Sequence, residues 1–533
     1  MHTRIGNIRG SFVLIALACL AMWLVSQMIA RGDYKTVALG GMAFGVVAVA
    51  MYVLNNWRSG FYLFLCWLLF EDLARKYLGN GTLLFFGKDV LLAVVCFSFC
   101  LERRWRPVRL LRPPFMFSLA AFAALALAQV FNPNSPSIFY GLLGMKLDFF
   151  YVVLMFLGYA LVESERDLEW FLVSNMVCAG LIALLGIVQS IVGSGFLNPA
   201  TLAPDIKALA TLTRMSPTNN FEVLRPCSVF VSTGRLSTYL IQMFILGFGG
   251  TVYLFLRDRK AWRVVLASLA AVTVAAIMTG ARSCAALVAI SAIVLVLAVT
   301  WGAPWRTAES HAVFRVLRRA TLALGLGLFL SAYLFPEHLK AYASIYTETL
   351  NPFKAGSEGV YRSWGYPLEA LQRALSSPHW LVGYGTGTAS LGWQYVTGRL
   401  GVSLPDFAVE GGFGSLVVEM GILAPFLWLW WTASAFGSCL KSVGKLKWSP
   451  MFPVAFALFW FPFVLLGPLT WLGIVQYQNF VSNAYVWLFM GILFRIPALA
   501  AESRTIVGFQ RFFNPIRRPV APAAPRSVFA NAR

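Results

Sequence analysis

Apolar runs of about twenty residues alternate with short polar connectors along most of the chain. A helix rises ~1.5 Å per residue and the hydrocarbon core of a bilayer is ~30 Å thick, so runs of this length match one crossing each. The pattern predicts spans at residues 11–29, 37–54, 61–70, 83–101, 115–131, 144–162, 171–192, 237–256, 264–279, 284–301, 320–335, 412–435, 452–471 and 480–494. In lipid every backbone N–H and C=O must be paired within its own segment, which makes each run a helix. The expected architecture is all-α and polytopic, with about 14 transmembrane helices (12–14). Two stretches break the rhythm, 193–236 and 336–411. The first eleven spans then occupy residues 1–335 and the last three 412–494, and a Pro-, Ala- and Arg-rich tail at 495–533 reads as disordered. The first run is longer than the ~7–15 apolar residues of a signal peptide and lacks a small-residue cleavage site, so it reads as an anchor.

Composition agrees with the pattern. The chain is 59% hydrophobic and 12% charged, with mean hydropathy +0.71, where soluble domains carry roughly 25% charged residues. The net charge of +21 sits in "LERRWRPVRLLRPP", "RDRKAWR", "FRVLRR", "KSVGKLK" and "NPIRRP", and all of these fall on one side if the N-terminus is cytoplasmic. Short cytoplasmic loops concentrate Lys and Arg, so both termini are expected inside and both long loops outside. The basic clusters lie in separate connectors, which argues against a nucleic-acid partner. Of eight cysteines only Cys227 falls clearly in an outer loop, so neither a disulfide framework nor a metal-binding pair is expected.

A charge within the bilayer costs about 2.5–3.5 kcal/mol on insertion scales and persists where it faces a partner or a polar cavity. Lys88, Asp89, Lys146, Asp148 and Glu419 all fall in the outer third of their expected spans. Arg225, Arg235, Arg282 and Arg362 lie just above that layer. Guanidinium forks suit diphosphate recognition, and the plainer reading is that each anchors a helix end among headgroups. In "LVGYGTGTAS", Gly383, Gly385 and Gly387 alternate, as in a flexible connector or a backbone nest for phosphate; no Gly-Lys-Ser/Thr follows, so this is not a Walker loop. Upstream, "GYPLEALQRALSS" sets Leu368, Leu371 and Leu375 on one face behind Pro367, predicting a short helix on the outer surface.

"EGGFGSLVVEMGIL" places Glu410 at the mouth of the twelfth span and Glu419 inside it. At 100° per residue the two stand on opposite faces of a continuous helix, so Glu419 reads as a structural acid, a partner for Lys146, with a secondary role. His379 and His338 are the outer-loop imidazoles.

The chain from about residue 115 onward resembles the O-antigen ligase and oligosaccharide-repeat-unit polymerase superfamily. The resemblance rests on "GLLGMKLDFFYVVLMFLGYALVESERDLEWFL", "RPCSVFVSTGRLSTYL", "IMTGARSCAALVAI", "YRSWGYPLEAL", "LVGYGTGTAS" and "EGGFGSLVVEMGILAPFLWL", in that order. It implies an integral-membrane glycosyltransferase at the periplasmic face of the bacterial inner membrane. Its donor would be a polyprenyl-diphosphate-linked glycan, with no cofactor and no required metal. Arg225 and Arg282 look like the arginines that hold the diphosphate, and Arg362 like the one preceding the glycine-rich turn. The histidine expected in the last motif is Glu410 here. A carboxylate can accept the proton of an attacking hydroxyl, so Glu410 is the catalytic candidate, with Arg225, Arg235, Arg282, Arg362, Lys146, Gly383, Gly385 and Gly387 as substrate-binding candidates. The substitution favours the polymerase branch, an inverting enzyme that moves the growing glycan to a new lipid-linked repeat, with a chain-length regulator or export protein as a possible partner. Ligation to another acceptor, lipid-linked oligosaccharide flipping, and metal-dependent phosphosugar transfer using Glu71 and Asp72 are the alternatives.

Overall fold

The computed structural model describes residues 47–79, 82–105, 111–215, 222–304, 336–350, 358–391 and 411–513, with scattered positions between them and side chains as far as 502. These residues are almost entirely helical, and eight helices are long and apolar enough to cross a membrane. They are Leu84–Arg103, Ile138–Leu161, Glu165–Val192, Thr233–Leu256, Arg282–Gly302, Leu423–Gly444, Phe452–Leu472 and Phe480–Glu502. Two shorter apolar helices, Met116–Gln129 and Trp262–Met278, stand where spans were expected. So does the helix Trp57–Leu78. The expected spans 11–29, 37–54 and 320–335 lie wholly or largely outside the described residues.

The chain divides into two compact units, Met1–Trp67 with Thr82–Pro107, and Leu68–Gly81 with Val108–Arg533. Within the first, Trp57 packs edge-on against Phe99 and the Ser98 hydroxyl donates to the Val53 carbonyl. Lys88 and Asp89, the charges expected in the outer layer, are both buried there.

The second unit has a central trio. Thr233–Leu256, Phe452–Leu472 and Phe480–Glu502 are 72–78% buried, whereas Arg282–Gly302 is 28% buried and rims the bundle. Glycines let the backbones approach, because lipid offers little hydrophobic drive and close packing takes its place. A Cβ on Gly491 would lie 2.1 Å from the Met155 carbonyl oxygen, and one on Gly249 would lie 2.7 Å from that of Pro453. Residues from alternate loops collect into two sets, as an up-and-down bundle requires. Arg257 pairs with Glu165 at 2.6 Å, and Trp448 N–H donates to the Gly302 carbonyl. The other set is built from residues 71–76, 129–148, 225–235, 277–280, 346, 363–391, 419 and 471–478, and it holds Lys146, Arg225, Arg235, His379, Gly383, Gly385, Gly387 and Glu419, with Arg282 and Arg362 immediately beside its segments.

Three features depart from the sequence-based expectation. The run 412–435 is two helices, Gly412–Met420 and Leu423–Gly444, with Gly421 between them at φ 77°. The stretch 193–236 holds a helix Pro204–Ala210 and a two-stranded antiparallel ribbon, Thr213–Met215 with Glu222–Leu224. In the helix Tyr366–Leu375 the face packed on protein is Pro367, Ala370 and Ala374, while Leu368 and Leu375 are exposed. Leu368 and Leu375 are turned away from the bundle, as on a helix lying at a membrane surface, whereas Leu371 packs against Ala374, Val417 and Val418.

Candidate functional site

Two groups of polar residues form, and the first is built on Arg225. Its backbone is fixed directly after the ribbon: its N–H donates to the Leu212 carbonyl and its own carbonyl accepts from the Thr233 hydroxyl at 2.8 Å. The side chain then runs beside the 279–282 hairpin, its Cγ 3.9 Å from where a Cβ on Gly280 would sit. Thr279 shapes that hairpin by accepting from Ala281 N–H, and Gly280 takes φ 60°. The helix Arg282–Gly302 starts immediately after, so Arg282 is its first residue. A helix N-terminus carries about half a positive charge, and a cation placed there favours an anion nearby. Helix Pro336–Leu350 covers this corner. Its Ala341 and Ile345 pack on Val223 of the ribbon, and the Tyr346 hydroxyl donates to the Ile277 carbonyl.

Arg225 is half-buried, and its Nε has no hydrogen-bond partner among the described residues. Burial pulls its guanidinium below the ordinary value, opposed by nearby Tyr346. A partly desolvated guanidinium with an unbonded Nε has the chemistry to donate to an anion.

Arg235 is engaged differently from the expectation. It stands in the first turn of Thr233–Leu256, which Ser232 caps, and its Nη1 sits 2.7 Å from both oxygens of Asp72. Arg75 bonds the same carboxylate at 3.1 Å, and Val231 N–H completes the set. Burial raises the Asp72 carboxyl, but Arg235 and Arg75 together outweigh it and hold the group below its ordinary value. Arg235 is therefore a structural tie between the ends of two helices. Asp72, the acid considered for metal-dependent transfer, is already bound to cations. Beside it Lys76 donates to the Ser228 carbonyl at 2.8 Å and to Cys227 Sγ at 3.2 Å.

The second group surrounds Glu419. Gly383, Gly385 and Gly387 take φ 77°, 103° and 85°, as a nest of alternating hand requires. Yet the turn is buried and its donors face protein. Gly383 N–H donates to the His379 carbonyl, Tyr384 N–H to Val418 and Gly385 N–H to Glu419. These last two close the exposed carbonyl end of the helix Gly412–Met420, which would otherwise lack partners. The expectation of a phosphate-facing nest at Gly383 and Gly385 is corrected accordingly. The turn is a cap, and its glycines are there because nothing larger fits. A Cβ on Gly387 would lie 1.9 Å from the Tyr140 carbonyl oxygen, and one on Gly383 2.6 Å from that of Glu419.

The Glu419 side chain accepts from the Ser390 hydroxyl at 2.7 Å and from Ala389 N–H at 3.0 Å, so its hydrogen bonds come from the turn rather than from Lys146. Gln478 joins the cluster to the other acid. Its Nε2 lies 2.9 Å from Ser390 Oγ and 3.5 Å from Asp148 Oδ1, and its Oε1 accepts from Leu391 N–H. Asp148 Oδ2 is buried without a hydrogen-bond partner among the described residues. Lys146, two residues before Asp148, is partly buried on the helix Ile138–Phe149. Gly144 of that helix packs directly on Gly387.

His379 lies at the edge of this group, its ring 4.9 Å edge-on from Tyr384. Arg362 is exposed, with its guanidinium 5.5 Å from the Tyr366 ring. Its segment is anchored where Trp471 donates to the Ser363 carbonyl at 3.0 Å. The helix after it packs on Gly411, the residue following Glu410. Glu410 lies outside the described residues, and of His338 only the helical backbone is described. Sequence reasoning missed Gln478 and Ser390, and also Tyr477 and Asn483, whose side chains donate to the Asp148 and Leu147 carbonyls. The dense polar string "VQYQN" between the last two spans was the available signal. No protein-family model, curated protein or solved structure matches this chain.

Proposed function

We propose that this protein is a membrane glycosyltransferase that polymerises polyprenyl-diphosphate-linked oligosaccharide repeats. The observation carrying the reading is Arg225: half-buried, its Nε open, and laid against the hairpin that sets Arg282 at a helix N-terminus. Two guanidinium-bearing loops 57 residues apart in sequence converge there, the chemistry a diphosphate leaving group needs. In this reading the chain has about 14 spans in the bacterial inner membrane, termini cytoplasmic, and residues 336–411 form a periplasmic loop over the site.

The acceptor hydroxyl of a lipid-linked repeat attacks the anomeric carbon of the growing chain from the face opposite the diphosphate. Glu410 accepts its proton, the carbon–oxygen bond to the diphosphate breaks, and the released lipid diphosphate stays paired with Arg225 and Arg282. Arg362 and Lys146 contribute to holding the glycan and its anionic end. Glu419 and the glycine turn set the wall of the site and do not act on substrate.

Purified protein given a defined lipid-linked repeat unit decides the matter. A ladder of products supports polymerisation, a single transfer to another acceptor supports ligation, and unchanged substrate rejects both. Glu410→Gln, inserted at normal level, is expected to leave only single repeats, and normal chain lengths in that variant would remove Glu410 from the mechanism.

A further inference from the structure

A second polar cavity lies away from everything above. It has a volume of about 440 Å³ and its walls include Arg112, Lys441, Lys445, Tyr159, Ser438 and Ser442. The helix Leu423–Gly444 places it. That helix begins just past the Glu419 segment and runs 22 residues to Lys441 and Lys445, which at ~1.5 Å per residue sets the cavity ~30 Å from the acid cluster. Arg112 comes from the segment before Met116–Gln129, and Tyr159 from the end of Ile138–Leu161.

The walls carry three cations and no acid. None of the three makes a hydrogen bond or ion pair through its side chain among the described residues, in contrast to Arg235, Arg257 and Arg495, which hold carboxylates. The three cations repel one another, and the Tyr159 hydroxyl stands beside them as a further donor, whereas the Ser438 and Ser442 hydroxyls already donate to the Ser434 and Ser438 carbonyls of their own helix. Phe494 gives the cavity an apolar side. A cleft between helix ends with three solvent-exposed cations, one phenol hydroxyl and an apolar wall matches a phosphate carried on a small organic group.

We propose that this cavity is a binding site for a phosphate ester, with Arg112, Lys441 and Lys445 neutralising the phosphate. The ester is offered by the headgroup of an anionic phospholipid or by a soluble phosphate compound, and the two sources are separable. The full-length protein in phosphatidylcholine nanodiscs is supplied with phosphatidylglycerol, released, and analysed by native mass spectrometry for retained lipid. In parallel its thermal midpoint is followed against inorganic phosphate and glycerol 3-phosphate.

Wild type is expected to retain phosphatidylglycerol over phosphatidylcholine, with about tenfold less retained by the Lys441→Gln/Lys445→Gln variant. Retention of the lipid assigns the site to headgroups. A midpoint rise with the soluble phosphates in wild type alone, without lipid retention, supports the site and assigns it to soluble esters. Equal behaviour of wild type and variant in both arms, or no binding of either ligand to wild type, overturns the proposal. Should the double variant fail to fold, Arg112→Gln, an exposed position, carries the same comparison. The glycan assay is independent of this result, since none of the three residues lies near the acid cluster.

Discussion

Arg225 is half-buried with an unbonded Nε, and under the proposed function that donor serves the lipid diphosphate. Charge-assisted hydrogen bonds are each worth about 1.5–3 kcal/mol. Arg225→Ala is therefore expected to lower transfer by roughly 10- to 100-fold in the ladder assay, and Arg225→Lys by less, since it keeps charge but loses the fork.

At the scale of elements, the glycine turn and the helix it caps behave as one piece. Gly387→Ala would drive a Cβ into the Tyr140 carbonyl from a left-handed backbone, and a loss of roughly 2–4 kcal/mol is expected. Gly437, within Leu423–Gly444, has open space where its Cβ would go. Gly437→Ala should be neutral or stabilising by up to ~1 kcal/mol, and thermal unfolding of the two variants side by side checks both. Legibility follows the same line. Hydropathy located the helices because twenty apolar residues have no other solution in lipid. It fused residues 412–435 into one span, because averaging over a window cannot register the left-handed conformation at Gly421. Alternating glycines announced a nest but not its contents, since the Val418 and Glu419 carbonyls lie about thirty residues further on. Arg235 was read as a ligand for diphosphate because its carboxylate partner stands 163 residues away. Arg225 and Arg282 were singled out together only through the family resemblance, since their place beside span ends is shared by Arg235 and Arg362.

For the molecule as a whole, orientation is the first thing to measure. In a background without native cysteines, Trp380→Cys is expected to react with an impermeant thiol reagent on intact cells, and Lys445→Cys only after permeabilisation. Both positions are exposed on the protein, so the reverse pattern would invert the topology. The ion cluster at Asp72 has a global role too. Asp72→Asn would remove the carboxylate that Arg235 and Arg75 share, and the unfolding midpoint should drop by the equivalent of roughly 3–5 kcal/mol.

The polar cluster draws on residues 148, 390, 419 and 478, which leave the ribosome far apart in time. Asp148 must wait in the bilayer until Ser390 and Glu419 arrive, and Gln478 enters only with the last two spans. The amide that links Asp148 to Ser390, and through it to Glu419, is thus the last of the four to be synthesised.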